Sequence, residues 1–251
     1  MKDIQNLPDF RKINIKKVGV KHISYPITVL DKENTTQKTV ATVNMYVNLP
    51  HHFKGTHMSR FVEILTRVHG AINLKNFHTI LSGMKDKLQA QAAHIEIEFP
   101  YFLKKNQDGQ AAVVEYICCM HGSLHDSDDL IMELRVPIAA PSPAPAAAGL
   151  PKSLGNWGVA TVQLRFRRFV WIEDLIRLIE SVTCHNLSWP QKAGGQEKLS
   201  VEGLTRDLGR KLRDHPDICG FKVNIKNYAP GGNTFAELEA DFARPVLRAG
   251  A

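Results

Sequence analysis

Long apolar runs are missing from this chain. No stretch of about 18 consecutive apolar residues occurs, so no membrane-spanning helix and no membrane partner are expected. Met1 to Arg11 mix charged and polar side chains and hold no apolar segment of the secretory kind. Cysteine is scarce. Of the four in 251 residues, Cys118 and Cys119 are adjacent, while Cys184 and Cys219 lie far apart in sequence. That spacing is no disulfide framework, and a reduced, cytoplasmic protein is expected. Basic side chains are in excess, with a net charge of +7, but they are scattered. Neither a basic stripe interleaved with aromatics nor helix-turn-helix or zinc-finger spacing is present, so no nucleic-acid partner is expected. The surplus charge reads first as a solvated basic surface and second as attraction for an anionic small ligand.

Hydrophobic residues make up 43% of the chain, enough for one large or two small domains. Residues 40–49 alternate, with Val43, Met45, Val47 and Leu49 on one side and Thr42, Asn44, Tyr46 and Asn48 on the other, which predicts a half-buried strand. A helix follows on the stripe Phe61, Ile64, Leu65 and Val68, with Thr56 or Ser59 to cap it. A second helix carries Leu74, Phe77, Leu81, Met84 and Leu88. Strands are predicted over 95–102, 112–120 and 130–136. The second half repeats the order: a strand over 160–166, a helix on Ile172, Leu175, Ile176 and Ile179, another on Leu204, Leu208 and Leu212, and strands over 221–225 and 234–242.

This pattern predicts an α+β fold, duplicated, with mostly antiparallel sheet and helices on one face. The Ala/Pro-rich run from Ala139 to Pro151 separates the halves as a linker or ordered loop. The expected organisation is an N-terminal module with a leading arm over 1–138, an inter-module loop over 139–157, and a C-terminal module over 158–251.

Pro50-His51-His52-Phe53-Lys54-Gly55-Thr56-His57-Met58-Ser59-Arg60-Phe61 runs a cation- and hydroxyl-rich turn straight into a helix. It resembles the signature of the type IB GTP cyclohydrolases. Weaker similarities extend over most of the chain: Val18-Gly19-Val20-Lys21, Phe99-Pro100-Tyr101-Phe102-Leu103-Lys104-Lys105, Trp171-Ile172-Glu173-Asp174-Leu175, Cys184, and Asn233-Thr234-Phe235-Ala236-Glu237. The resemblance implies two tandem tunnelling-fold modules and a homo-oligomer, a tetramer. It also implies action on a purine- or pterin-like heterocycle.

The family reaction adds water to C8 of GTP and releases formate. Neutral water is a poor nucleophile toward a purine carbon, and a zinc-type ion lowers the pKa of its bound water to about 7. The family supplies a cysteine from a Leu-Cys-Pro-Cys-Ser-Lys run and a histidine from an Ala-His-Asn-Gln-Arg run, and a glutamate in Pro-Asp-Glu-Lys and a histidine in His-Asn-His-Ser complete the neighbourhood. Here, aligned without gaps, Ser142 and Ala144 stand at the two cysteines, Leu154 at the histidine, and Pro230-Gly231-Gly232 replaces His-Asn-His. Such side chains cannot hold the ion. No family-type metal site and no cofactor are expected. Cys118-Cys119-Met120-His121-Gly122-Ser123-Leu124-His125-Asp126 offers thiols and imidazoles at close spacing, but reads first as a strand ending in a polar turn. His51 and His52 read as loop residues.

The remaining candidates follow from the resemblance. Glu202, in Val201-Glu202-Gly203-Leu204, matches the glutamate that anchors the heterocycle by accepting two N–H bonds; a solvent-facing helix glutamate is the alternative. Glu197 is the surviving glutamate of the old metal neighbourhood and, with His57, a catalytic candidate. His57 also reads as a structural hydrogen-bonder. Lys54, Thr56, Ser59 and Arg60 are candidate substrate-binding residues at a helix start, or else ordinary surface. The family's basic pair before Glu197 is reduced to Lys192. Three readings stand: an enzyme working without the family metal, a non-catalytic binding or regulatory relative, and a GTP cyclohydrolase with its metal moved toward Cys118–His125.

Overall fold

Apolar residues at every second position build most of the sheet, and apolar residues at every third or fourth build the helices that cover it. The computed structural model describes residues 15–49, 58–67, 74–107, 110–139, 156–183, 200–229 and 231–241. Eight strands are β1 (Ile15–Asp31), β2 (Thr35–Leu49), β3 (Ala92–Gln107), β4 (Gln110–Leu124), β5 (Asp128–Ala139), β6 (Asn156–Phe166), β7 (Ile218–Ala229) and β8 (Gly232–Asp241). The four helices are α1 (Met58–Thr66), α2 (Leu74–Lys87), α3 (Ile172–Thr183) and α4 (Val201–Arg213). The strands follow one another in chain order across one antiparallel sheet, an α+β arrangement.

The chain divides into two compact units, one of residues 1–101 and 118–132 and the other of 102–117 and 133–251. In the first, β2 pairs with β3 from Thr42 opposite Glu98 to Asn48 opposite Ala92. Val43, Met45 and Val47 of β2 and Ile95 and Ile97 of β3 are fully buried. Phe61 and Leu65 of α1 and Phe77, Leu81 and Met84 of α2 complete this core. Gly122 of β4 packs against α2: a Cβ there would sit 1.9 Å from Phe77 Cε1. In the second unit α4 packs on β7 and β8. Its Leu204, Leu208 and Leu212 are buried with Val162 and Leu164 of β6 and Val223 and Ile225 of β7.

Strand β1 is an element that the periodicity does not announce. Its pairing with β2 shifts register between Ile15 and Val18 and again between Val20 and Ile23, so its apolar residues fall out of alternation. His22 sits in the second shift at φ 57, and its N–H donates to Asn44 Oδ1 at 2.9 Å. Pro26 is tolerated because β1 is an edge strand. Ser59 corrects another expectation. It is the second residue of α1, inside the helix rather than its cap. At α4 the cap is Ser200, whose hydroxyl accepts from the Gly203 N–H at 3.0 Å. Residues 140–155, most of the expected inter-module loop, lie outside the described residues.

Candidate functional site

The expected site residues fall into three groups. Lys54, Thr56, His57 and Glu197 lie outside the described residues, as do Ser142, Ala144, Leu154 and Lys192. Ser59 and Arg60 occupy the first turn of α1, Ser59 exposed and Arg60 half-buried. Glu202 occupies the first turn of α4, exposed, where helix N–H groups favour an acid. It makes no hydrogen bond or ion pair with another described residue.

The Cys118–His125 run does not converge. Cys118 and Cys119 are buried in β4, while His125 is exposed and bonded through Nδ1 to Asp126 at 2.8 Å. Among the described residues no group of three or more His, Cys, Asp or Glu side chains is arranged to hold a metal ion.

Sequence reading did not find a polar cavity in the first unit, about 180 Å³ in volume, lined by Tyr46, His94, Ile95, Glu96, His121, Gly122, Ser123, Asp129 and Ile131. These residues come from four different strands. Tyr46, His94 and Glu96 alternate with the buried core residues of β2 and β3, so they stand on the sheet face away from that core. Glu96 is the best-held group. Its Oε2 accepts from Asn44 Nδ2 at 2.9 Å and its Oε1 from the Tyr46 hydroxyl at 3.2 Å. Burial pushes the Glu96 carboxyl up, but these two bonds, with His121 and Lys17 nearby, outweigh burial and keep it below the usual glutamate value. The Tyr46 ring stacks on His94 at 4.9 Å, and the Lys17 ammonium lies 3.4 Å from the ring centroid. Burial, with help from Lys17, lowers the pKa of His94, which is therefore neutral at pH 7.

These shifts set an acid limit. As pH drops below 6.5, the unfolded chain protonates its His94 before the folded one does, so stability falls. The stabilisation carried by Glu96 is present above pH 4.5 and is lost as pH falls through its depressed folded value. Melting temperature should therefore decline in two stages on acidification, and His94→Gln should reduce the first. Calorimetry across pH 7 to 3.5 checks this; a flat profile down to pH 5 would contradict it.

One further row resembles a catalytic constellation. His78 Nδ1 lies 2.5 Å from Asp128 Oδ2, and Ser82 Oγ lies 3.2 Å from His78 Nε2. Acyl transfer also needs N–H donors aimed at an oxyanion. Here the N–H groups flanking Ser82 lie within α2, where the helix ladder uses them. The row instead ties the β4–β5 turn to α2, together with Lys85, whose Nζ donates to the His125 carbonyl.

Comparison with known proteins adds the following. The family described as Type I GTP cyclohydrolase folE2 matches residues 1–189. The chain is 39% identical over 255 residues to the GTP cyclohydrolase FolE2 of Syntrophus aciditrophicus, covering 96% of this chain and 100% of that protein. It is 42% identical over 246 residues to the FolE2 of Geobacter sulfurreducens, covering 91% and 93%. Among solved structures, a highly active mutant of Bacillus sp. TB-90 urate oxidase superimposes with a TM-score of 0.57 at 8% identity, covering 90% of this chain and 100% of that one. A uricase from Bacillus fastidious gives 0.56 at 8% identity, covering 90% and 93%. At such identity the likeness shows the fold alone, and that fold is the tunnelling fold.

Proposed function

The chain belongs to the FolE2 family of type I GTP cyclohydrolases, and we propose that it is an enzyme acting on a GTP-like purine, or a related pterin, without the family's metal site. The family carries the designation FolE2 where the signature had suggested type IB. The observation that carries the reading is the exposed Glu202 carboxylate in the first turn of α4, unpaired among the described residues, in a chain whose signature segment falls within the family match. A carboxylate placed there accepts two N–H bonds from the amidine edge of the heterocycle and fixes its orientation. Lys54, Thr56, Ser59 and Arg60 supply cations and hydroxyls for the anionic part of the substrate, and His57 and Glu197 supply proton transfer.

A family metal, when bound, supplies an activated water at neutral pH. The donor set for it does not fit this chain. Ser142, Ala144, Leu154 and Pro230-Gly231-Gly232 stand where the family has its thiol and imidazole groups, and such side chains do not hold a zinc-type ion. A homo-oligomer, a tetramer by resemblance, is part of the same proposal. Strand β8 supports it: Phe235 is 68% exposed on a sheet edge, which a partner would cover. Titration of chelator-treated protein with GTP tests the reading: saturable binding that Glu202→Gln weakens is expected, and no binding overturns it.

A further inference from the structure

The cavity beside Glu96 lies on strands that carry none of the residues assigned to GTP. Its chemistry nonetheless selects a ligand. A carboxylate has about four lone-pair sites, and Asn44 and Tyr46 occupy one on each oxygen. Each Glu96 oxygen keeps a further acceptor position, and the pair forms a two-point acceptor on the cavity wall. The imidazole of His94, neutral at pH 7, and the Ser123 hydroxyl add groups that can both donate and accept, and Ile131 adds an apolar lining.

A volume of about 180 Å³ holds one bicyclic ring system. We propose that this cavity is a second ligand site, taking a small planar heterocycle with an amidine edge, its two N–H groups meeting the two oxygens of Glu96. The chemical class is the 2-amino-4-oxo ring of free pterins and guanine.

The experiment is a fluorescence titration with pterin in Glu202→Gln protein, which removes the other anchor. One pterin per chain is expected to bind. Lumazine, which carries an oxygen in place of the 2-amino group, is expected to bind at least about tenfold more weakly, since bonds to a charged acceptor are worth roughly a factor of ten or more each. Adding Glu96→Gln should weaken pterin by a similar factor. Ser123→Trp, which fills the cavity while leaving Glu96 in the chain, should abolish binding and decides the matter if the Glu96 variant fails to fold. No pterin binding to the Glu202→Gln protein, equal binding of lumazine, or binding unchanged by both cavity variants would overturn the proposal. Failure of the Glu202 reading shows elsewhere, as GTP binding that Glu202→Gln leaves unchanged.

Discussion

Glu202→Gln should weaken GTP binding by about two orders of magnitude while leaving the melting temperature nearly unchanged. Two charge-assisted bonds to the carboxylate are worth about 1.5 kcal/mol or more each, and about 1.4 kcal/mol is a factor of ten. Glutamine keeps one acceptor but turns an N–H₂ group toward the ligand's own donors, so one bond is lost and one contact becomes repulsive. The fold has little stake in the change. Glu202 is exposed and unpaired among the described residues, and the α4 cap is Ser200. Losing the acid beside the helix N-terminus costs about 0.3–1 kcal/mol. Equilibrium titration and thermal melting on the same preparation separate the two effects. A variant that binds GTP as well as the parent protein would remove Glu202 from the site.

The second large effect is on stability and involves a polar cluster in the same unit. Lys105 of β3, Tyr116 of β4 and Glu180 of α3 meet there, with Lys105 and Glu180 side chains only 16% and 12% exposed. Lys105 Nζ donates to the Tyr116 hydroxyl at 2.6 Å, and both Lys105 and Tyr116 donate to Glu180 Oε1. Burial and the Glu180 carboxylate push the Tyr116 phenol above its ordinary range. Burial also lowers the pKa of Lys105, although Glu180 opposes that shift. Truncating Glu180 to alanine leaves an ammonium in a poorly solvated place, and loss of about 3 kcal/mol is expected. Pairing that change with Lys105→Met should recover part of the loss, because no buried charge then remains unpaired. Urea unfolding of the two variants measures both values. A cost below about 1 kcal/mol for Glu180→Ala would show that water already solvates the cluster.

This cluster also shows what the sequence conceals. Lys105 reads as the tail of a strand-end motif and Glu180 as a polar residue on an amphipathic helix; nothing local joins them. The same holds for the Glu96 cavity. Its polar residues come from four strands, and the available signal is only that Asn44, Tyr46, His94 and Glu96 occupy the positions between apolar ones. By contrast, the alternation in residues 40–49 and the helical spacing of Phe77, Leu81 and Met84 are legible because each has one buried side and one wet one. Strand β1 escapes detection because two register shifts and Pro26 break the period. Glu202 is found by resemblance rather than by any local physical signal. Its exposure at the start of α4 becomes visible only in the structure.

The most direct measurement is GTP turnover, followed as formate release, by chelator-treated protein whose zinc, iron and manganese are determined on the same sample. Turnover is expected with metal far below about one ion per chain, unchanged when Zn²⁺ or Mn²⁺ is added back. Turnover that appears only on restoring about one ion per chain, or no turnover under either condition, would contradict it.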